Sequence, residues 1–230
     1  MKRRTLLHAG AAAAAATTVW PAQAQERTKI AYGYSAVSDF ATAFVATDEG
    51  FFAKRGLDVE PKFIPLNPTI IPGVESGSLQ MGGPTPTGYL QSIAGGPDQV
   101  VIGGGGMLSK TYTDLGIVAR AGTGIRSAKD CIGKKIGVPG IGALLHVTFR
   151  QWLKVNGVDA KQVTFIEAPF TQHADLLRGG AVDAVVSGGP FSAGWRSRKA
   201  RRARASANSF SWMRSAAAWT PPTRSPRWPS

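Results

Sequence analysis

The chain has 230 residues, with 27 Lys and Arg against 14 Asp and Glu, and a formal net charge of +13. Taken whole, that charge points to nucleic acid or an anionic membrane as partner. Its distribution excludes this for the body of the protein: residues 1–24 hold three bases and no acid, residues 194–230 hold nine bases and no acid, and residues 25–193 keep 15 bases against all 14 acids.

Lys2, Arg3 and Arg4 open the chain, an Ala-dominated apolar run covers Leu6 to Val19, and Ala22-Gln23-Ala24 is a small-x-small cleavage site. That order reads as a secretory signal peptide over 1–24 rather than a core helix. Arg3-Arg4-Thr5-Leu6-Leu7 also loosely fits a twin-arginine signal, so export by either route is expected, to the periplasm. No later stretch is long and apolar enough to span a bilayer. Cys131 is the single cysteine, which excludes an internal disulfide and leaves stability to a hydrophobic core.

From Thr28 onward short strands alternate with helices. A strand is predicted over 28–32, then a helix over 40–54 with Ser38 or Asp39 as N-cap and an interruption at Gly50. Residues 57–63 alternate, with Leu57, Val59 and Phe63 on one parity and Asp58, Glu60 and Lys62 on the other; Pro61 places this strand at a sheet edge. A short helix over 69–75, a strand over 79–82, a helix over 85–94 and a strand over 99–103 complete the first series, which runs into Gly103-Gly104-Gly105-Gly106.

The second series has a strand at 116–119, a single turn at 127–132 and a strand at 135–138. The clearest helix follows at 143–156, with Gly157 at its C′ position. Leu145, Phe149, Trp152 and Leu153 share one face of it; His146, Arg150 and Lys154 share the opposite, solvated one. A strand at 163–167, a helix from Thr171 as cap through Arg178, and a strand at 182–186 end the series. The alternation predicts parallel α/β sheets with helices on both faces, in two lobes divided by the glycine-rich passage from Gly103 to Gly116. Ligands in such sheets bind at the carboxyl ends of the strands.

Two strand-to-helix turns carry the candidate chemistry. Gly140-Ile141-Gly142-Ala143 resembles the start of a dinucleotide fingerprint, but Leu145 stands at the third glycine position, which excludes a nicotinamide cofactor. The turn exposes N–H groups at a helix start, which favours an anion; a plain loop needing glycine for steric reasons is the alternative. Gly82-Gly83-Pro84-Thr85-Pro86-Thr87 offers hydroxyls to the same cleft from the other lobe, and Thr85 equally suits a helix cap. His146 stands in the first turn of its helix and is a candidate for the cleft. There is no phosphate loop, no nucleophile elbow and no metal-ligand spacing, and Cys131 reads as a small buried hydrophobe. No catalytic residue, metal or cofactor is assigned.

Residues 46–60, Ala-Thr-Asp-Glu-Gly-Phe-Phe-Ala-Lys-Arg-Gly-Leu-Asp-Val-Glu, then 124–138 with Gly133-Lys134-Lys135-Ile136-Gly137-Val138, then Leu176-Leu177-Arg178-Gly179-Gly180-Ala181-Val182-Asp183-Ala184, stand in sequence. Together they resemble the landmarks of periplasmic substrate-binding proteins of the nitrate/sulfonate/taurine (SsuA-like) type, which serve ABC importers. The resemblance covers about residues 29–191 and implies a two-lobe, type II-like periplasmic binding protein fold closing on a small solute. The solute is then handed to an inner-membrane permease; a monomer and no nucleic-acid partner are expected. In the family the cleft is lined by the loop after the first strand, here Tyr34, Ser35 and nearby Asp39. The first-lobe helix start adds Thr85 and Thr87, the second-lobe helix start Gly142 and Ala143, and the last strand Ser187 and Gly188.

The expected layout is a signal peptide at 1–24, the N-terminal part of lobe one at 25–106, lobe two at 107–190 and an aberrant basic tail at 191–230. The family's chain continues beyond this point to complete lobe one. The tail instead holds four of the six tryptophans and no acid, a composition expected of out-of-frame translation of GC-rich DNA, with a genuine disordered basic tail as the alternative. Lobe one is therefore expected to be incomplete, with an exposed apolar face, and the chain impaired in stability and binding. The ligand expected from the helix starts is a sulfonate, a nitrate-like anion or a related small organic solute, with a neutral or aromatic one left open by the absence of a placed Arg. The alternatives are an enzyme on the same fold, of the thiamine-pyrimidine-synthesis or desulfination type, and a periplasmic sensor domain. The lack of a cysteine cluster and of a first-lobe cysteine counts against both enzymes, and no signalling segment supports a sensor.

Overall fold

The computed structural model describes residues 26–96, 98–106, 115–189 and 191. The signal segment 1–24 lies outside the described residues, as does the basic tail apart from Phe191.

The first sheet has the order β2-β1-β3, with β1 at Thr28–Tyr34, β2 at Leu57–Phe63 and β3 at Met81–Gly82. Both pairings are parallel, and β1 and β2 align from Thr28↔Leu57 to Tyr34↔Phe63. Pro61 sits opposite Tyr32 on the edge strand, where its missing N–H leaves no central ladder bond unmade. Helix α1 (Ala41–Asp48) is entered through a 3-10 turn at Ser38–Phe40 and ends before Gly50, whose φ of 67° is left-handed. Helix α2 (Ile70–Glu75) follows a 3-10 turn at Asn67–Thr69, and α3 (Pro86–Ala94) starts at the N-cap Thr85, whose Oγ1 accepts the Gly88 N–H at 3.4 Å.

The second sheet has the order β4-β7-β5-β6: β4 at Gly116–Ala119, β5 at Lys135–Val138, β6 at Thr164–Glu167 and β7 at Ala184–Ser187. Strands β5, β6 and β7 run parallel, as the alternation predicts, but β4 is antiparallel to β7. Alternation of elements fixes their kind, not the direction of an added edge strand, and an antiparallel edge on a parallel sheet is common. Asp183 joins three of these strands: its backbone oxygen accepts the Arg120 N–H at 2.8 Å, its Oδ1 meets the Arg120 guanidinium at 3.2 Å, and its Oδ2 accepts the Lys135 N–H at 3.0 Å.

The second sheet is covered on both faces. Helix α4 (Leu144–Val155) buries Leu145, Phe149 and Leu153 against Ile136, Val138, Ala184 and Val186. Helix α5 (His173–Gly179) brings Leu177 onto Val182 and Val185 on the other side. Every residue of β7 is buried. Cys131 lies fully buried in the α4 cluster, where burial first and the neighbouring Asp130 charge second push its thiol pKa up to about 11.

Three expectations need correction. Residues 99–103 form no strand; Val100 and Ile102 are 81% and 79% exposed. Their β-branched side chains suit a strand, but no strand among the described residues supplies ladder bonds there. Thr171 caps nothing: a 3-10 turn at Phe170–Gln172 precedes α5, whose N-cap is Gln172. His146 is buried rather than solvated, as described below.

Apolar exposure concentrates on the first sheet's side. Helix α1 buries no residue, and Val45, Phe63, Leu90 and Ile93 are all exposed. Replacing Phe149 by Ala should therefore lower the unfolding free energy by about 3–5 kcal/mol through loss of packing in the second sheet's core. Ile102→Ser should change it by less than about 0.5 kcal/mol. Urea unfolding followed by circular dichroism measures both, and equal costs would contradict this division of the core.

Candidate functional site

The loops that leave the carboxyl ends of β1, β2 and β3 meet at one place, and Asn67 holds them there. Its Nδ2 donates to the Gly83 carbonyl at 3.0 Å and to Ser35 Oγ at 3.4 Å, while its Oδ1 accepts the Thr85 N–H at 2.8 Å. One side chain thus ties the end of β1, the end of β3 and the N-cap of α3. Gly83 permits the close packing, since a Cβ there would lie 2.1 Å from the Phe40 ring. Beyond Thr85 the network continues to Thr87, with the two hydroxyls 3.1 Å apart.

The second sheet approaches from the other side, also with strand carboxyl ends. Gln91 on α3 donates from Nε2 to the Gly142 carbonyl at 3.3 Å. Gly140 faces Pro68 so closely that a Cβ would lie 2.6 Å from its Cδ. Between the sheets is a cavity of about 110 Å³. Its polar wall is Ser35, Ser38, Asp39, Asn67 and Thr85 from the first sheet's loops. Its apolar wall includes Leu115, Ala143, Leu144, Leu145 and Phe170, with Pro139 and Gly189 at the ends of β5 and β7.

Of the residues expected in the cleft, Ser35, Asp39, Thr85 and Ala143 line this cavity. Tyr34 does not; its ring belongs to an aromatic cluster with Phe40, Phe44 and Phe63. Thr87 supports Thr85 from outside the wall. Gly188 is covered by Leu115, and the next residue, Gly189, reaches the cavity in its place. Ser187 is 2% exposed and its Oγ has no hydrogen-bond partner among the described residues.

His146 is 5% exposed, its ring edge-on to Phe165 with centroids 4.6 Å apart. Its Nδ1 accepts the Gly142 N–H at 2.9 Å, and its pKa is lowered by burial first and by Arg150 second, against the opposing charge of Glu167. This changes the reading of the glycine turn. Ile141 donates its N–H to Glu167 Oε1 at 2.7 Å, and Ala143 donates to the Gly140 carbonyl at 3.2 Å. The N–H groups of the turn itself, at Ile141, Gly142 and Ala143, are thus occupied by partners within the protein.

Asn67, which ties the cavity's polar wall together, is not legible as such in the sequence. The Asn67-Pro68 dipeptide signals a turn, but nothing local shows that its amide reaches Ser35 and Thr85.

Two α/β lobes with strand carboxyl ends facing a shared cleft define the type II periplasmic binding protein fold. The family model described as NMT1/THI5 like matches residues 37–211, and the chain belongs to that family. No curated protein matches the sequence. Among solved structures it is similar to the alkanesulfonate-binding protein SsuA from Xanthomonas axonopodis pv. citri bound to MOPS, at 20% identity and a TM-score of 0.62, over 76% of this chain and 58% of that one. It is similar to the periplasmic aliphatic sulphonate binding protein SsuA from Escherichia coli at 16% identity and a TM-score of 0.52, over 73% of this chain and 56% of that one. The periplasmic nitrate-binding protein NrtA from Synechocystis PCC 6803 matches at 19% identity and a TM-score of 0.54, over 72% of this chain and 48% of that one. At these identities the likeness shows the fold. The chain spans 58% of the Xanthomonas protein's length and less of the other two.

Two measurements test the local account. Asn67→Ala leaves the Thr85 N–H and the Gly83 carbonyl without this partner and should cost about 1–3 kcal/mol in urea unfolding. His173, beneath the cleft residue Phe170, is 1% exposed, bonds the Ala168 carbonyl through Nε2 at 3.0 Å, and has its pKa pushed down to about 4 by burial. The unfolded chain takes up a proton near pH 6.5 that the folded chain refuses. Stability should therefore be full above 6.5 and decline as the pH falls towards 4. By pH 4.5 the loss is roughly 2–3 kcal/mol, and His173→Gln should abolish that part of the slope.

Proposed function

We propose that this chain is a solute-binding component of an ABC importer, taking a small organic solute into the cleft between its two sheets. The observation that carries the reading is the convergence of strand carboxyl ends from both sheets on one cavity, with hydroxyl and amide groups on one wall and apolar side chains on the other. Family membership and the fold shared with sulfonate- and nitrate-binding proteins support it. Ser35, Asp39, Thr85 and Ala143 are the proposed contacts, with Asn67 positioning the first and third. Tyr34, Thr87, Gly142, His146, Ser187 and Gly188 belong to the surrounding support. The proposed lobes are 25–106 and 107–190, and the proposed setting is the periplasm, as a monomer that delivers its solute to an inner-membrane permease.

The enzymatic alternative gains nothing from Cys131. Its thiol is fully buried in the second lobe's core, points its Sγ at the Ser127 carbonyl 3.7 Å away, and has its ionisation suppressed.

A receptor is stabilised by its solute in proportion to occupancy, by about 2.7 kcal/mol at a hundredfold excess over Kd. A panel of small amines, alcohols, sulfonates and nitrate, screened by thermal unfolding, should contain at least one compound that raises Tm saturably. Ala143→Trp, which fills the cavity from the second lobe, should abolish that rise while the unliganded transition persists. A rise that survives Ala143→Trp would contradict the placement of the site.

A further inference from the structure

We propose that the cleft takes a cationic organic solute, a protonated amine on an apolar skeleton, with Asp39 as its counter-ion. This rests on the solute-receptor reading and names its ligand class. Among the described residues the lining contains one carboxylate and no Lys, Arg or His. Of its other polar groups, Asn67 is engaged through both ends of its amide, Ser35 Oγ by Asn67, and Thr85 Oγ1 by the Gly88 N–H and the Thr87 hydroxyl, which leaves the Ser38 hydroxyl as a neutral partner beside Asp39. Asp39 forms no ion pair or side-chain hydrogen bond among the described residues. The backbone of Gly106 lies against its carboxyl group, where a Cβ would come within 2.5 Å of Cγ.

At Ile141, Gly142 and Ala143 the second lobe's glycine turn has no N–H left to offer an anion. The turn before α4 carries its own anion, the Glu167 carboxylate on the Ile141 N–H, and the two following N–H groups are bonded to His146 and Gly140. A sulfonate entering the cleft would lose hydration, meet Asp39 as a like charge, and find no cationic side chain among the described lining residues. A protonated amine meets the opposite balance. Asp39 supplies charge, and Phe170, stacked on Phe191 with centroids 5.8 Å apart, supplies an aromatic face of the kind that attracts cations. Leu115, Leu144 and Leu145 suit an apolar skeleton.

The test is isothermal titration of the full chain at neutral pH and low salt with n-butylamine, 2-phenylethylamine, and the alcohols and sulfonates of the same skeletons, with nitrate alongside. The expected result is that an amine binds at least tenfold more tightly than its matched alcohol and sulfonate. Asp39→Asn should erase that preference and Asp39→Glu should keep it, both with an unchanged thermal transition. An amine that binds no better than its alcohol, or equally well to Asp39→Asn, overturns the assignment of Asp39. Tighter binding of a sulfonate or nitrate overturns the cationic ligand and leaves the receptor reading standing. Failure of every compound to bind overturns both.

Discussion

The amide of Asn67 joins three loops that share no other side-chain bond among the described residues. Parallel strands β1, β2 and β3 deliver their carboxyl ends to one edge of a sheet, but loops leaving such an edge have many ways to go. Asn67 removes that freedom by donating to Gly83 and Ser35 and accepting from Thr85. The position of Thr85 fixes the start of α3, and α3 carries Gln91 to the Gly142 carbonyl of the second lobe. The shape of the cleft therefore descends from one neutral hydrogen-bonding side chain, whose three partners lie 16, 18 and 32 positions away.

The two lobes contribute unequally. The second sheet is enclosed by α4 and α5 and holds a continuous core around Phe149 and Ile136. The first relies on Phe40, Val59, Ile70, Ile71 and Leu79, while apolar side chains on α1, α3 and residues 100–102 face outward. The apolar wall of the cleft is the one backed by the second lobe's larger core. The polar wall sits on the thinner core, where a bond such as that of Asn67 matters more to local order.

Much of this was legible in the sequence, for physical reasons that differ by element. Strand β2 shows period-two alternation with an edge proline, and helix α4 shows an apolar stripe closed by Gly157, at a φ of 75°. Both signals are local and survive into the fold. Residues 99–103 carry strand propensity without a strand to pair with, and pairing is not local information. His146 shares a helical face with Arg150 and Lys154, so periodicity makes it solvated; Phe165 on β6 covers it instead. The glycine turn showed where backbone N–H groups would gather, but not that Glu167, 26 positions from Ile141, would occupy the first of them. Family landmarks located the cleft's loops, while the residue that binds them together, Asn67, lay between those landmarks.

The central claim is that one solute touches both lobes across a cleft organised at Asn67. Amide chemical-shift mapping of the full chain titrated with 2-phenylethylamine tests it most directly. The account predicts saturable shifts at Ser35, Asp39 and Thr85 on one side and at Ala143 and Gly189 on the other, all following one binding curve. Shifts confined to a single lobe, or none at these residues, would contradict it.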